Sequence, residues 1–535
     1  MPGAMNAPTR FTMAAAADIG RVLDIAGASA QVALDAHALV DAAGAPGAIG
    51  SHVKLRVGRR WVVAQVRALR LAQADGDLIL GTVDLVGEGE DAGGRLVRFR
   101  RGVSRLPMPG CPLHPADEHD LAAIFASDER PHIGVGTVHP MHDIRAALAV
   151  DALLGRHFAI LGSTGTGKST TTALVLHRIC EVAPLGHVLM IDPHGEYAAS
   201  FRDCGAIFDA GNLAIPYWLL NLEEHAEIFL TAHGPERQAD RDVLAKCLLA
   251  ARARNRMAEG MAGLTVDSPT PYLLSDLGAI ITQEMGKLDK AAGAAASYSR
   301  LKARIDEVRA DPRYAFMFSG MLVADGMADL LARLLRLPGE GKPIAIVDLS
   351  GVPSEITAVV VSLIARMIFD HALWSRGGEQ RPVLLVCEEA HRYIPAEGRT
   401  PARAVLERIA KEGRKYGIAL GLVTQRPSDL AEGVLSQCGT ILAMRLNNER
   451  DQAFVRAAVP EGARGLIDVI PALRNREAVI VGEGVALPIR VAFDTLAPEH
   501  LPASHDPVFS DAWRVEGDER PHLDQTIHRW RTQGR

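Results

Sequence analysis

The sequence predicts an α/β fold: a parallel-rich sheet carrying a helical insertion, preceded by a small N-terminal β-barrel. Three observations carry this expectation. Beyond residue 150, short apolar runs alternate with helical periods: Phe158–Leu161, Val188–Ile191, Ile344–Leu349, Val383–Cys387, Ile418–Val423 and Ile441–Met444. Runs this apolar, without polar alternation, fit strands buried on both faces of a parallel sheet. Between about Leu222 and Leu337 the chain turns Ala-, Leu- and Arg-rich and loses its strand signals, which reads as a helical insertion. From 19 to 103 the pattern is short, alternating and turn-punctuated, as a small barrel or sandwich requires.

The elements follow in chain order. Residues 1–14 read as a flexible N-terminus and 15–110 as the barrel. There Val53, Leu55 and Val57 alternate with Lys54 and Arg56, and Val97 and Phe99 with Arg98 and Arg100. The Pro-rich passage from Leu106 to Pro112 marks the exit, and 111–150 reads as a linker into the core. The core is expected over 151–500, with the insertion at 222–337. Within it, Ile356, Val359, Val360, Leu363, Ile364, Met367 and Ile368 form one stripe at helical spacing. Residues 501–535 are polar and read as a C-terminal arm. No internal repeat is visible.

Composition sets limits. The 535 residues are 48% hydrophobic and 23% charged, which excludes a disordered or fibrous chain. Fifty-eight Lys and Arg against 64 Asp and Glu leave a net charge of −6, which excludes a broadly basic coat for nucleic acid but not a local basic channel. Aromatics at 5% are too sparse for an array of base-stacking platforms. The six cysteines are far apart and none forms a C-x-x-C pair, so a disulfide framework or zinc knuckle is not expected. Cys387, inside an apolar run, reads as a small buried hydrophobe. No signal architecture and no long uncharged apolar run appears, so the expectation is a cytoplasmic protein without a membrane span.

The chemistry concentrates at strand ends. Gly162, Ser163, Thr164, Gly165, Thr166, Gly167, Lys168 and Ser169 match G-x-x-x-x-G-K-[ST] in full, between the strand Phe158–Leu161 and the helical stretch that Thr170 opens. Glycines let successive N–H groups turn around phosphate oxygens, and the helix N-terminus adds positive potential. Lys168 is placed for the β- and γ-phosphates and the Ser169 hydroxyl for Mg²⁺, so ATP and Mg²⁺ are the expected cofactors. The strand Val383–Cys387 ends in two carboxylates. Glu388 is expected to hold Mg²⁺ and Glu389 to polarise the attacking water. Asp348, at another strand end, lacks a neighbouring acid and is a secondary candidate. Asp192, His194 and Glu196 stand at a third strand-to-loop turn with no assignable role, and Gln425 follows a fourth, where an amide can sense the γ-phosphate or orient water. Arg414 and Arg156 are either solvated cations or arginines that complete a neighbour's site, and spacing leaves this open.

Taken in order, GSTGTGKS, IDPHGEY, DLSG, CEEAHRYIP, KEGRKYG and VTQRPS resemble the HerA family of hexameric DNA-translocating ATPases, within the HerA–FtsK group of RecA-like motors. The N-terminal segment resembles that family's HAS-barrel, and the resemblance covers roughly residues 15 to 515. It implies a RecA-like P-loop core, a homo-hexamer with nucleotide at subunit interfaces, and duplex DNA through the pore. It also implies that Arg414 is a trans-acting arginine and Arg156 a second interfacial one. A partner is implied as well: a NurA-like nuclease in DNA-end repair, or another effector in antiviral defence. One departure stands out: many such motors have Asp where this chain has Glu388, which lengthens the reach to Mg²⁺.

The expected function is therefore an ATP-dependent DNA translocase or helicase. The alternative is an ATP-gated ring scaffold that organises an effector with little unwinding of its own. A membrane-anchored FtsK-like or conjugative pump is a weaker third.

Overall fold

In the computed structural model, residues 18–41, 49–72, 75–125, 131–139, 143–261, 263–287, 294–319, 322–375, 380–460, 463–503, 509–514 and 519–532 are described. The expected flexible segment 1–14 lies outside them. The chain divides into two units, residues 1–151 with 440–494, and residues 152–439 with 495–535.

The first unit begins with β1 (Gly20–Ala26), β2 (Ser29–Asp35), β3 (His52–Val57), β4 (Arg60–Ala72), β5 (Asp75–Ala92), β6 (Arg95–Arg101) and β7 (Pro112–Pro115). Their order is β2-β1-β7-β3-β4-β5-β6, and β2 also pairs with β5, so six strands close into a barrel and β6 hangs on its outside. Inside, Val32, Leu34, Val53, Leu55, Val62, Ala64 and Val83 form one core. Lys54 is 2% exposed, because the helix Glu118–Phe125 covers its face and Asp120 answers the charge at 2.7 Å. Trp61, Val63, Leu121 and Ile124 make a second small core beneath that helix. Residues 111–150 are thus more than a connection: they hold β7, the covering helix, and then β8 (His132–Val138) and β9 (Arg145–Ala149).

The second unit supplies β10 (Phe158–Leu161), β11 (Val188–Asp192), β12 (Gly205–Phe208), β13 (Ile344–Asp348), β14 (Val383–Cys387) and β15 (Ile418–Thr424), in the order β12-β13-β11-β14-β15-β10. Every pairing among these six is parallel. All residues of β10, β11, β14 and β15 are buried, as the unbroken apolar runs require. A parallel sheet gathers all its strand C-termini on one edge, and there the site forms.

The apolar stripe from Ile356 to Ile368 lies on the helix Ser354–Trp374, every member buried. The helix is long and apolar enough to cross a bilayer, but it serves as a core helix of the sheet unit. Its one interior cation anchors the insertion: Arg366 pairs with Glu224 at 2.8 Å and donates to the Leu219 carbonyl at 2.6 Å. Glu224 also closes the capping box of Leu222–Phe229 with Asn221. The helices Gly234–Arg252, Leu274–Gly286, Ala294–Ala310 and Met327–Leu334 complete the insertion.

The chain then returns to the first unit with β16 (Thr440–Met444), β17 (Glu477–Gly482) and β18 (Ile489–Phe493). Here one expectation is corrected. The run Ile441–Met444 pairs antiparallel with β17, Ile441 opposite Val481, and β17, β18, β8 and β9 continue antiparallel. An unbroken apolar run reports burial on two faces, and strand direction is a separate matter.

Candidate nucleotide and catalytic site

The phosphate loop joins β10 to the helix Lys168–Val182. Gly165 and Gly167 adopt φ of +77° and +91°, the left-handed backbone that a side chain would strain, and they carry the turn. Thr166 is buried and folds its hydroxyl back onto the Ser163 carbonyl at 2.8 Å, while the Gly162 N–H bonds the Thr424 carbonyl of β15 at 3.3 Å. The loop is therefore braced from within and from the neighbouring strand.

Ser163, Thr164, Gly165, Gly167, Lys168, Ser169, Thr170, Glu388, Glu389 and Gln425 line one groove of about 440 Å³, within the ordinary range for ligand sites. His194, Glu196 and Pro502 complete it, and Pro502 carries no sequence signal that could have announced it. Lys168, buried like Glu388 and Glu389, forms an ion pair with Glu388 and lies 3.8 Å from Glu389 Oε1. Burial opposes the lysine's charge, but the two carboxylates outweigh it and hold its pKa above the ordinary value. Burial pushes the Glu389 carboxyl up, against the pull of Lys168. Glu389 itself sits at φ +51°, a backbone strain of about 1–3 kcal/mol of the kind that collects at functional sites.

The motif Asp192–Tyr197 resolves into two jobs. Asp192 accepts N–H bonds from His194, Gly195 and Tyr197 at 3.1, 2.9 and 2.9 Å, so it shapes the turn. Burial raises its pKa to about 6. Tyr197, fully buried, donates to Glu388 Oε2 at 3.1 Å and fixes that carboxylate from behind. Asp348 lies beside Asp192 on β13, in register, and not in the groove.

Gln425 accepts a hydrogen bond from the Thr164 hydroxyl, linking the end of β15 to the phosphate loop. Arg156 and Arg414 are placed differently. Both are exposed and stand at the opposite edge, just before the N-termini of β10 and β15. A four-residue strand spans about 13 Å, so neither arginine is near the phosphate loop of its own chain. His157, next to Arg156 in sequence, has its pKa lowered by burial and also by the Arg414 charge.

The donors fit a magnesium nucleotide. The glycine cradle presents N–H groups to phosphate, and a serine with one or two carboxylates is the set that Mg²⁺ takes alongside substrate oxygens. Among the described residues no group of three His, Cys, Asp or Glu forms a self-sufficient metal site. Glu389 Oε2 is buried and accepts no hydrogen bond among the described residues.

The parallel sheet, phosphate loop and paired acids define a P-loop ATPase of the RecA-like motor class. Residues 133–368 match the family model "Helicase HerA, central domain". The DNA double-strand break repair helicase HerA of Pyrococcus furiosus is 28% identical over 453 residues, 77% of each chain. A probable HerA of Methanocaldococcus jannaschii is 26% identical, covering 79% of this chain and 86% of its own. Among solved structures, VirB4 of Thermoanaerobacter pseudethanolicus superposes with a TM-score of 0.51 at 16% identity, over 70% of this chain and 98% of its own, and shares the fold. The chain is similar to the HerA helicases over 77% of its length, and it is an ATPase of helicase type.

Proposed function

We propose that the protein is a ring motor that hydrolyses ATP to translocate duplex DNA, working in DNA-end processing or antiviral defence with a nuclease or other effector. The observation that carries this reading is the division of the site between two sheet edges. Phosphate binding and water activation stand at the carboxyl edge, and the charge-neutralising arginines at the amino edge, where a neighbouring copy can use them. Lys168 exchanges Glu388 for the β- and γ-phosphates when nucleotide arrives. Ser169 and Glu388 are then free to hold Mg²⁺, which neutralises phosphate charge when bound. Glu389 takes the proton of the attacking water, Gln425 contacts the γ-phosphate, and Arg414 and Arg156 of the adjacent copy balance the developing charge. The family relationship supports DNA as the substrate, and the net charge of −6 is compatible with it if cations line only the pore.

The test is ATP turnover with and without duplex DNA. Stimulation by duplex that disappears in Glu389→Gln and Lys168→Ala is expected. Wild-type turnover indifferent to duplex would overturn translocation and favour the scaffold.

A further inference from the structure

We propose that His391 is a positioning residue: it aims the Glu389 carboxylate and couples it to the turn that carries Gln425. The inference rests on Glu389 being the base. The two oxygens of that carboxylate face different surroundings. Oε1 looks toward Lys168 at 3.8 Å, on the phosphate side of the groove. Oε2 points inward, is buried, and accepts no hydrogen bond among the described residues. Its nearest charged or chargeable neighbour is His391 Nδ1, 3.2 Å away. That nitrogen is engaged elsewhere, 2.9 Å from the Thr424 hydroxyl.

One ring nitrogen therefore stands between two oxygens. A neutral imidazole carries at most one proton there, so Nδ1 serves Thr424 or Glu389 Oε2, not both. Thr424 is fully buried at the end of β15, and its Oγ1 also accepts the Arg426 N–H at 3.1 Å, which sets the turn around Gln425. Gln425 in turn holds Thr164 of the phosphate loop. The contacts run unbroken from the base, through His391 and Thr424, to the residue placed for the γ-phosphate.

The consequence is geometric. The terminal torsion of a glutamate is soft, so a carboxylate with a free Oε2 rotates and presents Oε1 poorly. When Gln425 turns to a γ-phosphate, the 424–426 turn shifts and Nδ1 transfers its hydrogen bond from Thr424 to Oε2. The torsion is then locked and Oε1 is left for water. A base oriented by a third group is the usual logic of an activated nucleophile. In a site of this kind the base is aimed only when the γ-phosphate is present.

The experiment uses the full chain, with turnover and binding of a fluorescent ATP analogue measured separately. His391→Ala is expected to lower kcat by about 10- to 100-fold, the usual cost of losing an orienting partner, with analogue affinity held within about 2-fold. His391→Asn, whose amide nitrogen occupies the Nδ1 position, is expected to recover most of the loss. An unchanged kcat in His391→Ala overturns the proposal. So does a loss confined to affinity, or an Asn variant that binds the analogue normally and turns over no faster than Ala. Glu389→Gln separates the two readings. If it still turns over, the base assignment fails and the inference falls with it; if it is dead while His391→Ala is unimpaired, only the role of His391 falls.

Discussion

The two edges of the parallel sheet carry charge in opposite ways. At the carboxyl edge Lys168, Asp192, Glu388 and Glu389 are all buried, and each is held by a named partner or a turn. At the amino edge Arg156 and Arg414 are exposed. A buried charge must be answered within the chain, because desolvation costs several kcal/mol per ion. An exposed arginine is already solvated, so its charge costs far less to carry. The contrast teaches that the carboxyl edge satisfies its charges within one chain, while on the proposed mechanism the exposed edge serves a neighbouring copy.

The largest effect should come from the exposed edge. Arg414→Ala is expected to cut turnover by about 10³- to 10⁵-fold, the range for a trans-acting arginine, with nucleotide affinity preserved. Mixing it with Glu389→Gln, inactive for a different reason, should restore activity, since some contacts then join an intact carboxyl edge to an intact amino edge. No recovery on mixing, or full activity in Arg414→Ala alone, breaks the comparison.

The second prediction concerns stability and reverses the ranking. Lys168→Ala leaves two buried carboxylates without their cation and should cost about 3–5 kcal/mol in chemical denaturation. Arg414→Ala, a solvated surface change, should stay within about 0.5 kcal/mol. Equal midpoints for the two variants would show that burial does not distinguish the edges.

The smallest effect lies on the helix between them. His177, on the helix Lys168–Val182, stacks on Phe201 and His500, with ring centroids 4.3 and 4.4 Å away. Burial, with help from the nearby His500, lowers its pKa to about 4 from the ordinary 6.5. The unfolded chain binds this proton at higher pH than the folded one. The contribution of His177 is therefore complete above 6.5 and lost as pH falls toward 4. His177→Gln should flatten the decline of Tm over that window; a decline as steep as wild type would remove His177 as its source.

Much of this was legible before folding. The phosphate loop, the paired acids after Val383–Cys387 and Gln425 after Val423–Thr424 were readable because strand ends in a parallel sheet converge, so motifs far apart in sequence share one edge. The apolar runs located six strands within a residue or two. They missed β12, β17 and β18, which are no shorter than the strands located; β12 and β18 are only partly buried. Alternation reports the pleat and not exposure: a covering helix with Asp120 buries Lys54 on the polar face as well.

His391, Thr424 and Tyr197 belong to a different category. Their residue types permit many roles, and only the contacts of His391 with Glu389 and Thr424 and of Tyr197 with Glu388 select one. What the sequence determined by itself was the chemistry: a phosphate cradle, a lysine, two acids and an amide, because those demands are met by residue type and local spacing. What only the tertiary structure decided was which groups face one another. Burial, register and strand direction are set by contacts between segments hundreds of residues apart. They placed Arg156 and Arg414 on the edge away from the phosphate loop, and a histidine behind Glu389.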